Sequence, residues 1–473
     1  MSARAEPHSR LEDPAGGWLF HNPFVSFWLR PWLDRAALRA ISGVYLPLSR
    51  AWAAAVASQG DAKQFWAELP AQPGARDAPP PLEEVVRRHR RYGETERAWE
   101  NGFFGAVAAE PAQLVSLEAQ RRLAAKQRMR SYAAFLPLAL RGRLPKVKWD
   151  IRSPQAVAAS HAGRLGSREQ AFPAPVLPAV VRSHAVAGPL GDQFWLRFAS
   201  PALKARGEEG PNAEAWAHVY EPDIPASDRP TLISLHGICM EPEYWPDAQD
   251  LLPALSGQGV RVIRAEAPWH ARRRIEGHYS GEPILARGPL GLLGLLEAWI
   301  PEIAVLITWA RNSASGPVAI GGLSLGALTS QVALTAAAHW PAEMRPDAAL
   351  LIATSGDLLD IVERGSLAAG IGLPAQLSAA GWTTAELTRW LTLATPVGEP
   401  ALPAERIVMV LGSADSVTPF AGGQALAGRW RLPPENLFTS TRGHFSAALA
   451  AVTDDAPLRR LLRILAAVRR RGR

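Results

Sequence analysis

Ser324 lies between two glycines in Gly322-Leu323-Ser324-Leu325-Gly326, a G-x-S-x-G pattern. A serine hydroxyl is a poor nucleophile near neutral pH. It attacks a carbonyl carbon only when a base takes its proton and a carboxylate orients that base. The pattern is short and gains weight from its flanks. Pro317-Val318-Ala319-Ile320-Gly321 is apolar and strand-like, and Ala327 to Leu334 is compatible with a helix. A serine on such a strand-to-helix turn projects away from the sheet. Glycines are required beside it because a Cβ there would crowd strand against helix.

Other reactive side chains are few. Cys239 is the single cysteine, so no internal disulfide forms. It reads as a small buried residue and not as a catalytic thiol, and no spacing suits a metal, so neither metal nor cofactor is expected. The stretch from Ala265 to Arg274 carries Glu266, Trp269, His270 and three consecutive arginines. Trp269 and His270 are candidate substrate contacts. The arginines either meet an anionic group on a substrate or bridge Glu266, Glu276 and Glu282.

The 473 residues allow one large domain with additions, or two domains. Hydrophobic residues make up 48% and charged residues 20%, which is ordinary for a globular core. The formal charge of +7 comes partly from arginine clusters at 87–91, 272–274 and 469–473. No nucleic-acid-binding motif surrounds them, so solvated surface is the first reading and contact with anionic lipid the second. A single cysteine and the polar residues 1–16, which lack a signal-peptide pattern, lead to the expectation of a cytoplasmic protein, peripheral to a membrane at most. The aromatic residues of 11–60 (Trp18, Phe20, Phe24, Phe27, Trp28, Trp32) suit a helical cap or a membrane interface. Pro289 to Ala310 is the most apolar stretch, but Glu297, Pro301 and Glu302 make it a buried helix and not a membrane span.

Elements able to position Ser324 begin near residue 192. Strands are expected at Phe194–Phe198, Ala215–Tyr220, Thr231–His236, Val260–Ala265, Val318–Gly322, Ala349–Ala353, Ile407–Leu411 and Leu437–Ser440. The first two fit an antiparallel start, and the later ones alternate with helical lengths such as Trp245 to Ser256. This is the pattern of a mostly parallel eight-stranded sheet covered on both faces. Residues 1–190 form an N-terminal helical extension, with a linker over 71–82 and irregular, proline-rich chain over 141–190. Residues 191–473 form the α/β domain, including a long insertion at about 357–403.

Eight strands with the serine turn after the fifth resemble the α/β-hydrolase superfamily. The resemblance implies a Ser, Asp, His triad in that chain order, here Ser324, Asp415 and His444. Asp415 lies in Gly412-Ser413-Ala414-Asp415 after the seventh strand, with Asp357 and Asp360 in reserve; an Asx-turn cap is the plain alternative for it. His444 lies in Arg442-Gly443-His444 after the last strand. His236-Gly237-Ile238 is similar to the family's His-Gly motif, so the resemblance implies an oxyanion hole from the Ile238 and Leu325 amides. It also makes the 357–403 insertion a lid, whose Leu373, Leu377, Trp382, Leu387, Trp390 and Leu391 either line an acyl pocket or pack on the sheet. The 265–274 loop together with the elbow is similar to the α/β-hydrolase domain-containing protein 18 type. The activity implied is serine-esterase, lipase-like cleavage of a small-molecule acyl ester. The rival readings are an acyltransferase using the same triad and a non-catalytic membrane-surface or scaffold protein.

Overall fold

A computed structural model describes residues 31–69, 80–107, 109–142, 144–167, 171–188, 191–241, 255–453 and 455–471. The linker at 71–79, most of the expected helix from Trp245, and Trp18 to Trp28 lie outside the described residues.

The centre is one sheet with helices on both faces. Its strands are β1 (Val181–Arg182), β2 (Val186–Gly188), β3 (Gly191–Ala199), β4 (Glu214–Glu221), β5 (Thr231–Leu235), β6 (Arg261–Ala265), β7 (Val318–Leu323), β8 (Ala348–Ile352), β9 (Ile407–Gly412) and β10 (Leu437–Ser440). Their order is β1-β3-β4-β6-β5-β7-β8-β9-β10, with β2 also on β3. From β5 to β10 all pairs are parallel, while β3, β4 and β6 pair antiparallel in sequence. All eight expected strands are present as β3 to β10, and the swapped places of β5 and β6 give the α/β-hydrolase fold. The described sheet nevertheless has ten strands. β1 and β2 fall in the stretch read as irregular, because two- and three-residue strands are defined by the β3 edge they pair with and not by their own pattern.

The inner parallel strands β5, β7, β8 and β9 are mostly apolar because both of their faces are covered. On one face Ile233, Ile263, Ile320 and Leu351 join the main core. On the other, Leu232, Val262, Ala319 and Leu350 pack with Leu461 and Leu465 of helix Ala456–Arg471. Helix Pro289–Ser313 is long and apolar enough to cross a membrane, but 83% of its apolar window is buried against the core. Its acidic residues are paired: Glu302 with Arg273 at 2.7 Å, and Glu297 with His161, Arg164 and Arg206.

The N-terminal helices share this core. Trp52, Val85 and Phe135 belong to the same buried cluster as the strands. Helices Pro31–Ala40 and Leu46–Ala57 are joined by a π-helical turn at Ile41–Tyr45, and Leu82–Phe104 packs along Pro111–Arg130. The insertion forms four short helices between Leu358 and Leu391. Leu373, Leu377, Trp382, Leu387, Trp390 and Leu391 are all core residues, so the packing reading holds for them.

Candidate active site

The loops that follow β5, β6, β7, β9 and β10 gather at the carboxyl ends of the parallel strands, the edge where open α/β sheets place ligands. Ser324 directly follows β7 and caps helix Leu325–Ala336 with φ 55° and ψ −116°. That backbone region is sparsely populated by non-glycine residues and costs on the order of 1–3 kcal/mol. The flanking glycines have a specific reason. Leu235 pairs with Gly322 across β5 and β7, and an added Cβ at Gly322 or Gly326 would stand 2.2 or 2.1 Å from the Leu235 carbonyl oxygen. The turn is held from the far side by the Ser324 amide, which donates to Ile352 O at 3.0 Å.

Three candidate residues from distant parts of the chain meet here. The Ser324 hydroxyl lies 2.9 Å from His444 Nε2, and His444 Nδ1 lies 2.8 Å from Asp415 Oδ2. A carboxylate only accepts, so Nδ1 carries the proton and Nε2 accepts from the serine. Asp415 is itself held on every side. Its Oδ1 accepts from the amides of Val417 and Thr418 at 2.9 Å each, and its Oδ2 from Thr418 Oγ1 at 2.8 Å. The Asx-turn and the contact with histidine are thus the same arrangement: one oxygen caps the turn, the other faces His444. Thr418 was missed, although the spacing of Asp415 and Thr418 before Pro419 is a turn signature. Asp357 instead caps helix Leu358–Arg364, and Asp360 pairs with Arg364.

The loop after β5 lies beside Ser324, since a Cβ on Gly237 would stand 3.7 Å from the serine Cβ. Its amides have different fates. Gly237 N–H meets Met240 Sδ at 3.3 Å and Cys239 N–H donates to His270 Nε2 at 3.1 Å. Among the described residues Ile238 N–H has no acceptor. The Leu325 amide lies in the first helical turn, where amides have no intrahelical partner. These are the two amides expected to face an oxyanion.

His270 and Trp269 are placed away from Ser324. His270 is fully buried. Its Nδ1 donates to Pro268 O at 2.9 Å, leaving Nε2 to accept from Cys239. His236 mirrors it: Nδ1 donates to Gly237 O at 2.8 Å and Nε2 accepts from Ala267 N–H at 3.1 Å. The two rings meet edge to face at 4.8 Å and tie the β5 loop to the β6 loop. Burial pushes His236 down to about 4 and His270 well below the usual imidazole range, so both are neutral linkers. Trp269 packs on Gly294 and borders a separate cavity of about 1060 Å³. The arginines are also internal. Arg272 pairs with Glu96 and Glu266, Arg273 with Glu302, and Arg274 with Glu241. All three arginines are thus ion-paired within the fold, with Glu266 the one expected partner among them, and Arg272 also lines the cavity at Ser324. Burial, then Glu282 and Glu241, raise the Cys239 thiol far above its ordinary value, which leaves no thiolate for chemistry.

A cavity of about 780 Å³ opens on Ser324 and His444. Its lining is largely apolar, with Ile41, Ile238, Leu367, Val417 and Leu449 among it, and it also carries the basic side chains Arg121, Arg122, Lys126, Arg264 and Arg272. Leu367 comes from the 357–403 insertion, although it was not among the residues expected to line a pocket.

No family model and no curated protein matches the chain. Among solved structures it is similar to TT1662 from Thermus thermophilus, at 21% identity over 52% of this chain and 93% of that one, with a TM-score of 0.35. It is similar to acetyl xylan esterase 1 from Thermoanaerobacterium sp. JW/SL YS485, at 14% identity over 64% and 96%, TM-score 0.41. It is also similar to the acylaminoacyl peptidase of Pyrococcus horikoshii, at 12% identity over 60% of this chain and only 47% of the other, TM-score 0.40.

Proposed function

We propose that the protein is a serine hydrolase that cleaves a carboxylic ester through an acyl-enzyme. The observation that carries this reading is the continuous chain from Ser324 Oγ through His444 to Asp415, at 2.9 and 2.8 Å. Ser324 Oγ attacks the acyl carbon as its proton passes to His444 Nε2. The Ile238 and Leu325 amides receive the oxyanion, and His444 then protonates the leaving alcohol. Water, deprotonated by the same imidazole, attacks the acyl-enzyme and releases the acid. Asp415 keeps the imidazole in the required tautomer and stabilises its charged form. The apolar wall supports an acyl group of lipid-like character. The domain-containing protein 18 branch gains no support from the comparisons, and its distinguishing loop is accounted for by internal ion pairs.

The test is labelling by a fluorophosphonate, with a panel of acyl esters of increasing length, on wild type and Ser324→Ala. The expected result is labelling and turnover in wild type, and loss of both in a variant with an unchanged circular dichroism spectrum. Ester hydrolysis that survives in Ser324→Ala would remove Ser324 as nucleophile.

A further inference from the structure

We infer that the N-terminal helical stretch 31–45 is a positioning element of the active site, acting through Asp34 on the base and through Tyr45 on the oxyanion loop. The inference rests on the serine-hydrolase reading and extends it to two residues that no local pattern marks.

Helix His444–Thr453 begins at the histidine itself. Its first amides have no intrahelical partner, and the carboxylate that satisfies them comes from 411 residues away in the chain. Asp34 Oδ1 accepts from Phe445 N–H at 2.6 Å and Ser446 N–H at 3.0 Å, and its Oδ2 accepts from the Ser446 hydroxyl. Ser446 Oγ in turn accepts from Gly443 N–H at 3.0 Å. A negative group at a helix N-terminus is electrostatically favoured as well as hydrogen-bonded. Gly443 leaves the necessary room, since a Cβ there would stand 2.5 Å from Asp34 Cγ. The backbone on both sides of His444 is therefore fixed by one side chain of helix Pro31–Ala40.

Eleven residues further on, about 16 Å along a helix, Tyr45 reaches the other half of the site. Its hydroxyl donates to Cys239 O at 3.1 Å. Cys239 follows Ile238, has φ 58°, and gives its own amide to His270. Tyr45 and His270 thus hold the two ends of one strained residue next to the proposed oxyanion donor. Tyr45 closes the π-helical turn Ile41–Tyr45, and such turns are frequent at functional sites. Ala37, Ile41 and Tyr45 line the cavity at Ser324, so the same stretch is also a wall of the site. Asp34 and Tyr45 touch no reacting atom; they act by fixing groups that do.

The experiment uses the full chain and compares wild type with Asp34→Ala, Asp34→Asn and Tyr45→Phe. Each is assayed for ester turnover, for the rate of fluorophosphonate labelling, and for thermal unfolding. A misplacement on the order of 1 Å at a reacting group costs up to about 100-fold. Asp34→Ala is therefore expected to lower kcat and the labelling rate by about 10- to 100-fold with KM little changed. Tyr45→Phe is expected to lower both by about 10-fold. Asp34→Asn should retain activity within about 3-fold of wild type, because asparagine caps helix amides nearly as well as aspartate. Asp34→Ala and Tyr45→Phe variants with kcat within about 3-fold of wild type overturn the inference. So does an Asp34→Asn variant as impaired as Asp34→Ala, or a rise in KM without a fall in kcat. If wild type itself is not labelled, the serine-hydrolase reading falls and this inference with it. A labelled wild type beside unimpaired variants removes this inference alone.

Discussion

Asp415 shows how one side chain carries both structure and proposed chemistry. Its Oδ1 is committed to the Val417 and Thr418 amides, and its Oδ2 to Thr418 Oγ1 and His444 Nδ1. Replacing it with asparagine preserves the size and the turn, but an amide nitrogen placed toward His444 donates where an acceptor is needed. The imidazole then carries its proton on Nε2 and cannot accept from Ser324. Asp415→Asn is therefore expected to lower kcat by on the order of 10⁴, with thermal stability close to wild type. A loss of less than about tenfold, with Asp357→Asn inactive instead, would move the acid to Asp357 and contradict the geometry. The glycines of the elbow express the opposite constraint. Gly322 and Gly326 are defined by the Leu235 carbonyl pressed against them, and no side chain fits there without moving β5.

At the scale of elements, legibility followed the range of the interactions. The eight expected strands were readable because most of them carry a run of buried apolar residues, and the elbow because its glycines lie within two residues of the serine. β1 and β2 were not readable, since they exist only as additions to the β3 edge. Asp34 and Tyr45 were not readable either, because the groups they hold are 411 and 194 residues away. The loop from Glu266 to Arg274 misled in a different way. Tryptophan, histidine and arginine near a site suggest ligand contacts, yet here they join β6 to helix Pro289–Ser313 and to the N-terminal helices. Arg273 is the centre of that junction. It is fully buried, makes two bonds to Glu302 at 2.7 and 2.8 Å, and donates to the carbonyls of Glu266 and Asn212. Arg273→Met keeps most of the volume but leaves Glu302 charged and buried with Ser200 as its remaining partner. The expected cost is about 3–5 kcal/mol, measured by urea denaturation. A change under about 1 kcal/mol would mean that the Arg273–Glu302 pair does not hold this junction together.

For the molecule as a whole, the same buried polar network predicts a steep acid response. Burial is the main cause that holds four histidines neutral: His89 is pushed down to about 3 and His236 to about 4, while His218 and His270 lie well below the ordinary value. Arg274 and Arg128 add to the effect at His89. In the unfolded chain each imidazole titrates near 6.5. Between that value and the lower native one, the unfolded state binds more protons than the folded state. The stabilisation is thus complete above about pH 6.5 and is lost as the pH falls toward 4, each group contributing up to about 1.4 kcal/mol per pH unit. His236 alone accounts for roughly 3 kcal/mol across its range. Because His236 and His270 link the β5 and β6 loops, protonation also breaks the contacts that place the Ile238 amide. Stability from urea denaturation is therefore expected to drop by several kcal/mol between pH 7 and pH 5. His236→Gln should be less stable at pH 7 but lose up to about 1.4 kcal/mol less per pH unit on acidification. A wild-type stability that stays level from pH 7 to pH 5 would mean that these imidazoles accept protons within the fold, and the neutral bridge between the two loops would have to be abandoned.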